Sequence, residues 1–246
     1  MNPFKNGSIE SVYVIHARKF ADRAAYMKAL LGRLEIPFEF IEPYDADQLD
    51  DAIQSRFLVP GSGLSPGEYS CTLKHFEAWR RIVARNQRLA LVLEDDVVLT
   101  DNFIEKLGEI VAESAALAQP YTIQIGCANN MYVPRRSLVP GKLLYAAIEV
   151  RATDAYLIGA PAAQTRLAWL DHNKIHLTTD HLCNLMDRQS QTRIYWSEPT
   201  LVEQGSMNGL FPSTLEERRK NKPLWRQKAR FAWQRLRKKY IYRIFR

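Results

Sequence analysis

Leu89-Ala90-Leu91-Val92-Leu93-Glu94-Asp95-Asp96 is the stretch on which the fold turns. Its apolar run mixes Leu and Val and is too short to cross a membrane, so it reads as a strand buried on both faces. The acids that follow mark where that strand emerges. Carboxylates crowded together raise one another's pKa unless a cation sits among them. In an extended chain Glu94 and Asp96 point one way and Asp95 the other. Such an acid-x-acid pair could hold Mg²⁺ or Mn²⁺, hard ions that take oxygen ligands and bridge phosphates. In open α/β sheets the ligand crevice lies at the carboxyl ends of the strands, where these acids are expected. A solvated acidic turn after an edge strand is the plainer alternative, and the local sequence leaves both open.

On either side of this run, strand and helix signals alternate. Val12-Tyr13-Val14-Ile15 predicts a strand, then helical periodicity continues to about Leu34, and Pro37-Phe38-Glu39-Phe40-Ile41 predicts a second strand. The segment 43–64 is polar, carries Gly61-Ser62-Gly63 and reads as a loop able to move. Ser65-Pro66-Gly67-Glu68 is a helix start, with Ser as N-cap, Pro at the first helical position and Glu closing a capping box. That helix should reach about Asn86. Further helices are expected from about Asp101 to Leu117, Pro161 to Leu170 and 180 to 189. Strands are expected at Tyr121–Ile125, Leu143–Ile148, Ala155–Ile158 and Arg193–Trp196, with a turn over Gly126–Asn130. Strands alternating with helices predict an α/β layer architecture with a largely parallel central sheet.

Composition divides the 246 residues into two parts. The net charge of +7 hides an asymmetry, because the stretch from Arg218 to Arg246 holds 13 Lys and Arg and no acid. Of the whole chain's 34 bases and 27 acids, 21 bases and all 27 acids therefore fall in residues 1–217, a net of −6. A mildly acidic body, residues 1–215, is thus followed by a basic tail, residues 216–246. Phe231, Leu236, Tyr240 and Ile244 can share one apolar face of a tail helix, interleaved with bases. That pattern favours a peripheral anchor on an anionic membrane surface over binding of nucleic acid, which an acidic body would repel. Cys71, Cys127 and Cys183 are odd in number and form no CxxC, which fits reduced thiols in a cytosolic setting. The N-terminus lacks the apolar stretch of a signal peptide, and no segment reaches transmembrane length.

Several side chains stand out as chemically capable. On the helix beginning at Pro66, Tyr69, Thr72, Phe76, Trp79, Ile82 and Val83 fall on one arc, with Lys74, Glu77, Arg80, Arg81 and Arg85 opposite. Glu68, Cys71 and His75 lie within the apolar arc, where ionisable groups need partners. Glu68 completing the cap and His75 as a satisfied core histidine is the structural alternative to a site role. Arg18 and Arg23, after the first strand, could grip a pyrophosphate by bidentate contacts or simply be surface arginines. Asp154 and Asp180 each sit beside an element end and could act as a general base or as a cap. His172 and His176 have ligand spacing, with His181 beyond, but no Glu follows His172 and a solvated stretch is favoured.

Taken in order, these segments resemble glycosyltransferase family 25, the lipooligosaccharide/lipopolysaccharide biosynthesis glycosyltransferases. The resemblance spans roughly residues 11–206. It rests on Val12–Ile15 with Asp22-Arg23, on Leu64-Ser65-Pro66-Gly67-Glu68 with Cys71 and His75, and on Leu91-Val92-Leu93-Glu94-Asp95-Asp96-Val97. Weaker matches follow at Thr153 with Ala155–Ile158, at Thr179-Asp180, and at Pro199, Leu201 and Gln204. Lys74, Asp154 and His16-Ala17 depart from the family's usual residues.

The resemblance implies a GT-A-like nucleotide-sugar fold and inverting transfer of a sugar, often galactose from UDP-galactose, to a glycan acceptor. It implies that Glu94 and Asp96 hold Mn²⁺ (or Mg²⁺), with Asp95 beside them against the donor. Glu68 and His75 become site-wall residues, Arg23, with Arg18, a donor contact, and Asp154 or Asp180 the base. The expected partners are the UDP-sugar donor, a lipid-linked glycan acceptor and, through the tail, the inner face of a bacterial cytoplasmic membrane. No nucleic-acid partner is expected.

Overall fold

The computed structural model describes residues 1–127, 130–208, 210, 211, 233, 236 and 237. Seven strands form one mixed sheet, built around the run that precedes the acids. They are β1 (Ser11–Ile15), β2 (Glu39–Ile41), β3 (Ala90–Glu94), β5 (Tyr121–Gln124), β6 (Leu144–Ala147), β7 (Ala155–Ile158) and β8 (Arg193–Ser197), in the spatial order β2-β1-β3-β7-β5-β8-β6. β1 pairs parallel with β2 and β3, and β5 pairs parallel with β8. β7 runs antiparallel between β3 and β5, and β6 runs antiparallel on β8. Five strands therefore share one direction, and the sheet is largely parallel, as the alternation of elements predicts.

Alternation along the strands sends successive side chains to opposite faces. Tyr13, Ile15, Ala90, Val92, Tyr156 and Ile158 enter one core, under α3 (Pro66–Ala84), α5 (Ala160–Leu170) and α6 (Thr179–Ser190). Val12, Val14, Leu91, Leu93, Ala155 and Leu157 enter the other, under α1 (Ala21–Arg33) and α4 (Phe103–Ser114). Ala90 through Leu93 are buried throughout, which is why the sequence shows a continuous apolar run instead of alternation.

Two departures from expectation bear on the site. The segment 43–64 is not an unstructured loop. It contains a short 3₁₀ turn at Ala46–Gln48 and the helix α2 (Asp51–Phe57), whose N-cap Asp50 accepts a hydrogen bond from Ile53 N–H at 2.8 Å. Capping acids gave this stretch the polarity of a loop. Lys74, expected on the solvated side of α3, is buried instead. Its ammonium lies 2.9 Å from Asp45 Oδ1 and donates to the carbonyls of Ile41, Glu42 and Pro43 at 3.3, 2.6 and 3.0 Å. The projection failed because those acceptors come from the far end of β2, outside α3's own periodicity.

A second, two-stranded sheet pairs β4 (Val97–Leu99) antiparallel with β9 (Val202–Gln204), followed by α7 (Gly205–Asn208). It folds the chain after β8 back over the turn at Asp95-Asp96. The turn expected at 126–130 is described only in part. The basic tail, 216–246, lies outside the described residues except for Trp233, Leu236 and Arg237, of which Trp233 and Leu236 are exposed. Among the described residues no helix is long and apolar enough to cross a membrane.

Removing one partner of a buried ion pair leaves the other charge uncompensated, typically at about 3–5 kcal/mol. Lys74→Ala should therefore destabilise the fold by roughly that amount in chemical denaturation. A loss of under about 1 kcal/mol, the range of surface pairs, would show that the three carbonyls and Asp45 do not depend on the ammonium.

Candidate active site

The acids sit where the strand rule puts them, at the carboxyl edge of the parallel strands. Glu94 ends β3, and Asp95-Asp96 form the turn into β4. Because β7 runs antiparallel to β3, its first residues adjoin the last residues of β3. Glu94 N–H donates to Asp154 C=O at 2.9 Å, and Thr153 Oγ1 donates to Glu94 Oε1 at 3.0 Å. The small sheet brings in Gln204, whose side chain donates to Glu94 Oε2 at 3.1 Å, and Ser206, whose N–H donates to Asp96 Oδ2 at 3.3 Å.

The acids divide by how well they are neutralised. Asp95 is clamped: Arg23 Nη1 donates to Oδ1 at 2.8 Å, and His16 Nδ1 lies 2.8 Å from Oδ2. Arg23 also stands 3.7 Å from Asp96 Oδ2 and is itself buried. Asp96 Oδ1 and both carboxylate oxygens of Asp154 are buried with no hydrogen-bond partner among the described residues. Burial, then the Glu94 charge, push Asp96 up to about 6. Burial, then Glu94 and Asp96, push Asp154 up to about 8. The Asp154 carboxylate also fills the space beside Gly126, where an added Cβ would meet Oδ2 at 2.2 Å. Any side chain at 126 would have to displace that carboxylate.

Along α3 the capping box forms as the motif predicts. Ser65 N–H donates to Glu68 Oε2 at 2.7 Å, and Glu68 N–H donates to Ser65 Oγ at 3.3 Å. Glu68 thus carries the structural duty that its motif offered. His75 is fully buried, with Nδ1 2.9 Å from the Tyr156 hydroxyl and Nε2 3.9 Å from Glu94 Oε1. Burial, then the Glu94 charge, push the Cys71 thiol well above its ordinary range, so it is no ready nucleophile.

Asp180 lies in the first turn of α6, partly exposed, and accepts from Thr178 Oγ1 at 2.6 Å and from its neighbour His181 N–H at 2.9 Å. Thr179 binds Thr72 at 2.9 Å through paired hydroxyls and so joins α6 to α3 beside Cys71. Arg18 is half exposed and donates from Nε to Asp45 at 2.8 Å. His172, His176 and His181 are exposed, as a solvated stretch requires.

The structure therefore gathers Glu94, Asp95, Asp96, Asp154, His75 and Arg23, while Glu68, Arg18 and Asp180 occupy the flanks. Sequence reasoning missed Ser206, the clamp from His16 and the close approach at Gly126. A glycine directly after a strand was the one signal available for the last of these. A surface hollow of about 410 Å³ beside β6, β8 and the end of α6, lined by Ala147, Asp187 and Tyr195 among others, is separate from the acids.

Comparison with known proteins gives a consistent result. The family model described as "Glycosyltransferase family 25 (LPS biosynthesis protein)" matches residues 9–183. A mouse protein named "Inactive glycosyltransferase 25 family member 3" is 32% identical over 114 residues, covering 42% of this chain and 19% of the relative. "Glycosyltransferase 25 family member" of Aedes aegypti is 26% identical over 170 residues, covering 65% and 28%. Mouse "Procollagen galactosyltransferase 2" is 27% identical over 121 residues, covering 45% and 19%. The chain thus spans roughly a fifth to a quarter of the length of these relatives.

The Asp154 shift has a testable sign. An acid whose pKa rises from 3.8 to about 8 on folding keeps a proton that the unfolded chain has lost. Stability of the metal-free protein should therefore fall as pH rises between those values, by up to about 1.4 kcal/mol per pH unit. Asp154→Asn should flatten that slope in denaturant titrations made with chelator present. Equal slopes for the two proteins would mean that Asp154 is ionised in the folded chain.

Proposed function

The chain belongs to glycosyltransferase family 25, and on that footing we propose that it is an active transferase using a nucleoside diphosphate sugar. UDP-galactose is the first candidate donor. The acceptor is a hydroxyl of a lipid-linked lipooligosaccharide or lipopolysaccharide glycan, glycosylated with inversion at a GT-A-like sheet. The observation that carries this proposal is the excess of carboxylate over cation at the end of β3. Asp96 Oδ1 and both Asp154 oxygens are buried and unpartnered among the described residues, and the acids drive one another's pKa up.

That surplus of hard oxygen fits Mn²⁺ or Mg²⁺, with Glu94 and Asp96 as ligands and Asp154 as a third negative charge behind them. Two carboxylates are the usual protein share for such an ion, with phosphate and water supplying the other ligands. Bound there, the ion would neutralise charge growing on the departing diphosphate. The protein's own groups supply the rest. Arg23 and His16 fix Asp95 and thereby the turn that carries Asp96. Gln204 and Thr153 hold the Glu94 carboxylate in place. Arg18, half exposed past the end of β1, is available to the donor's phosphates. Asp180 is the general base that we assign, because it is partly exposed while Asp154 is sealed beneath Gly126. It takes the acceptor hydroxyl's proton as the new glycosidic bond forms on the face opposite the leaving group. The basic tail then holds the enzyme against the inner leaflet, where lipid-linked acceptors are made.

The names of the inactive relatives support a second possibility, a chain that binds the nucleotide without transferring sugar. The complete Glu94-Asp95-Asp96 run favours the active one.

Asp96→Asn should lower transfer from UDP-galactose in Mn²⁺ by about 10²–10³-fold, the range for loss of one preorganised electrostatic group. The circular dichroism spectrum should not change. Asp180→Asn should lower kcat by about 10²–10⁴-fold with little change in KM. Full turnover by Asp96→Asn, or by the native protein in excess chelator, would remove the ion from the mechanism. Donor binding without turnover across the UDP-sugars would favour the non-transferring alternative.

A further inference from the structure

His75 carries a polar atom that the transferase chemistry above does not use. The side chain is fully buried, and its Nε2 has no hydrogen-bond partner among the described residues. An unmet buried polar group of this kind is costly to leave without a partner. Nε2 looks into a set of three ligand atoms, its own, Cys71 Sγ and a Glu94 carboxylate oxygen, all within 4.8 Å of one another. Cys71 and His75 stand four residues apart on α3, the spacing that places two side chains one above the other on a helix face. Glu94 meets them from the end of β3.

The support behind the imidazole is also in place. Trp79 Nε1 donates to the Tyr156 hydroxyl at 2.9 Å, which fixes the phenol against the ring. In the tautomer whose Nδ1–H donates to that oxygen, 2.9 Å away, the Nε2 lone pair is presented to the cluster. A hydrogen bond from the second ring nitrogen is the usual way a metal-binding histidine is oriented.

We propose that Cys71, His75 and Glu94 form a metal site of their own, suited to a borderline-soft divalent ion such as Zn²⁺. Thiolate, imidazole and carboxylate are all ligands that zinc takes, and three protein ligands leave a fourth position for water or substrate. A thiolate contributes little to Mn²⁺ or Mg²⁺, so this ligand set selects against the ions that suit Glu94 and Asp96. Ligand atoms around tetrahedral zinc stand roughly 3.5 Å apart, so the three side chains close by about 1 Å on binding. The Cys71 thiol proton leaves to solvent as the sulfur–metal bond forms. The two sites share Glu94, so zinc occupancy competes with the transferase ion for one carboxylate. Metal binding at the trio does not depend on the transferase proposal. Only the competition does.

Co²⁺ is the probe, added to the reduced, chelator-treated full chain. The expected result is a thiolate-to-cobalt charge-transfer band of one equivalent, abolished by stoichiometric Zn²⁺. Cys71→Ser should lose the band, and Asp96→Asn should keep it, which separates this site from the acid pair. X-ray absorption of the zinc-loaded native protein gives a second measurement, independent of how the variants fold. It should show one sulfur at about 2.3 Å with nitrogen and oxygen completing the shell. No charge-transfer band in the folded native chain, a band that survives in Cys71→Ser, or an all-oxygen shell overturns the site. Any of these would leave the transferase proposal standing, because that is read from sugar transfer in Mn²⁺.

Discussion

Carboxylate crowding at the end of β3 is the constraint from which the rest of the site follows. Glu94, Asp95, Asp96 and Asp154 come together in largely buried surroundings, where an isolated charge is costly unless paired. The Arg23 guanidinium is shared between Asp95 and Asp96, and His16 assists Asp95. Asp95 is thereby satisfied and becomes structural. It ties the turn after β3 to the end of β1 and the start of α1. Asp96 and Asp154 keep buried oxygens with no hydrogen-bond partner among the described residues and depend on one another's protonation or on a cation from solution. A fold that needed only stability would lose nothing by replacing such a cluster with apolar side chains. Its position at the carboxyl ends of the parallel strands is what the proposed function draws on.

Much of the scaffold around this cluster was legible in the sequence. The run 89–93 announced a strand buried on both faces, and Ser65-Pro66-Gly67-Glu68 announced a cap that the structure forms atom for atom. The antiparallel sense of β7 was not legible, because its short, fully buried apolar run reads the same in either direction. It is the antiparallel sense of β7 that lays Asp154 beside Glu94, so the sequence could offer Asp154 only as a lone acid near a strand end. The three-residue strands β4 and β9 were too short to show any period. Without that pairing, the contacts from Gln204 and Ser206 to the acids could not be foreseen. Helix α2 and the burial of Lys74 were also hidden. The capping acids of α2 read as loop polarity, and the burial of Lys74 is decided by acceptors at the end of β2 and beyond, distant in sequence.

Beneath α3 lies a second polar network that holds the site's back wall. Arg166 donates from Nε and Nη2 to the two Asp187 oxygens at 2.8 and 2.7 Å, joining α5 to α6. The same guanidinium faces the Trp79 ring at 4.8 Å, and Trp79 in turn donates to Tyr156. Tyr156 then meets His75. A buried, bidentate ion pair is weak evidence for net stability, because desolvation offsets much of its attraction. Its geometry is nonetheless stiff, and here that stiffness is passed through Trp79 and Tyr156 to the imidazole. The aromatic residues that look like ordinary core on the helix projection therefore also set where His75 points.

The burial pattern separates two roles that the sequence left interchangeable. A general base must exchange its proton with an acceptor hydroxyl and then with solvent, so it needs an accessible oxygen. Asp154 lacks one: its carboxylate is packed against Gly126, and burial with its acidic neighbours pushes it up to about 8. What it can supply is charge. With a cation bound as proposed, Asp154 would give up its proton, and a third carboxylate would strengthen the field holding the ion. Asp180 has the opposite character: partly exposed, at the head of α6 and hydrogen-bonded through one oxygen, it can still receive a proton from outside. Two aspartates of equal standing in the sequence thus become, through burial alone, one electrostatic support and one candidate base.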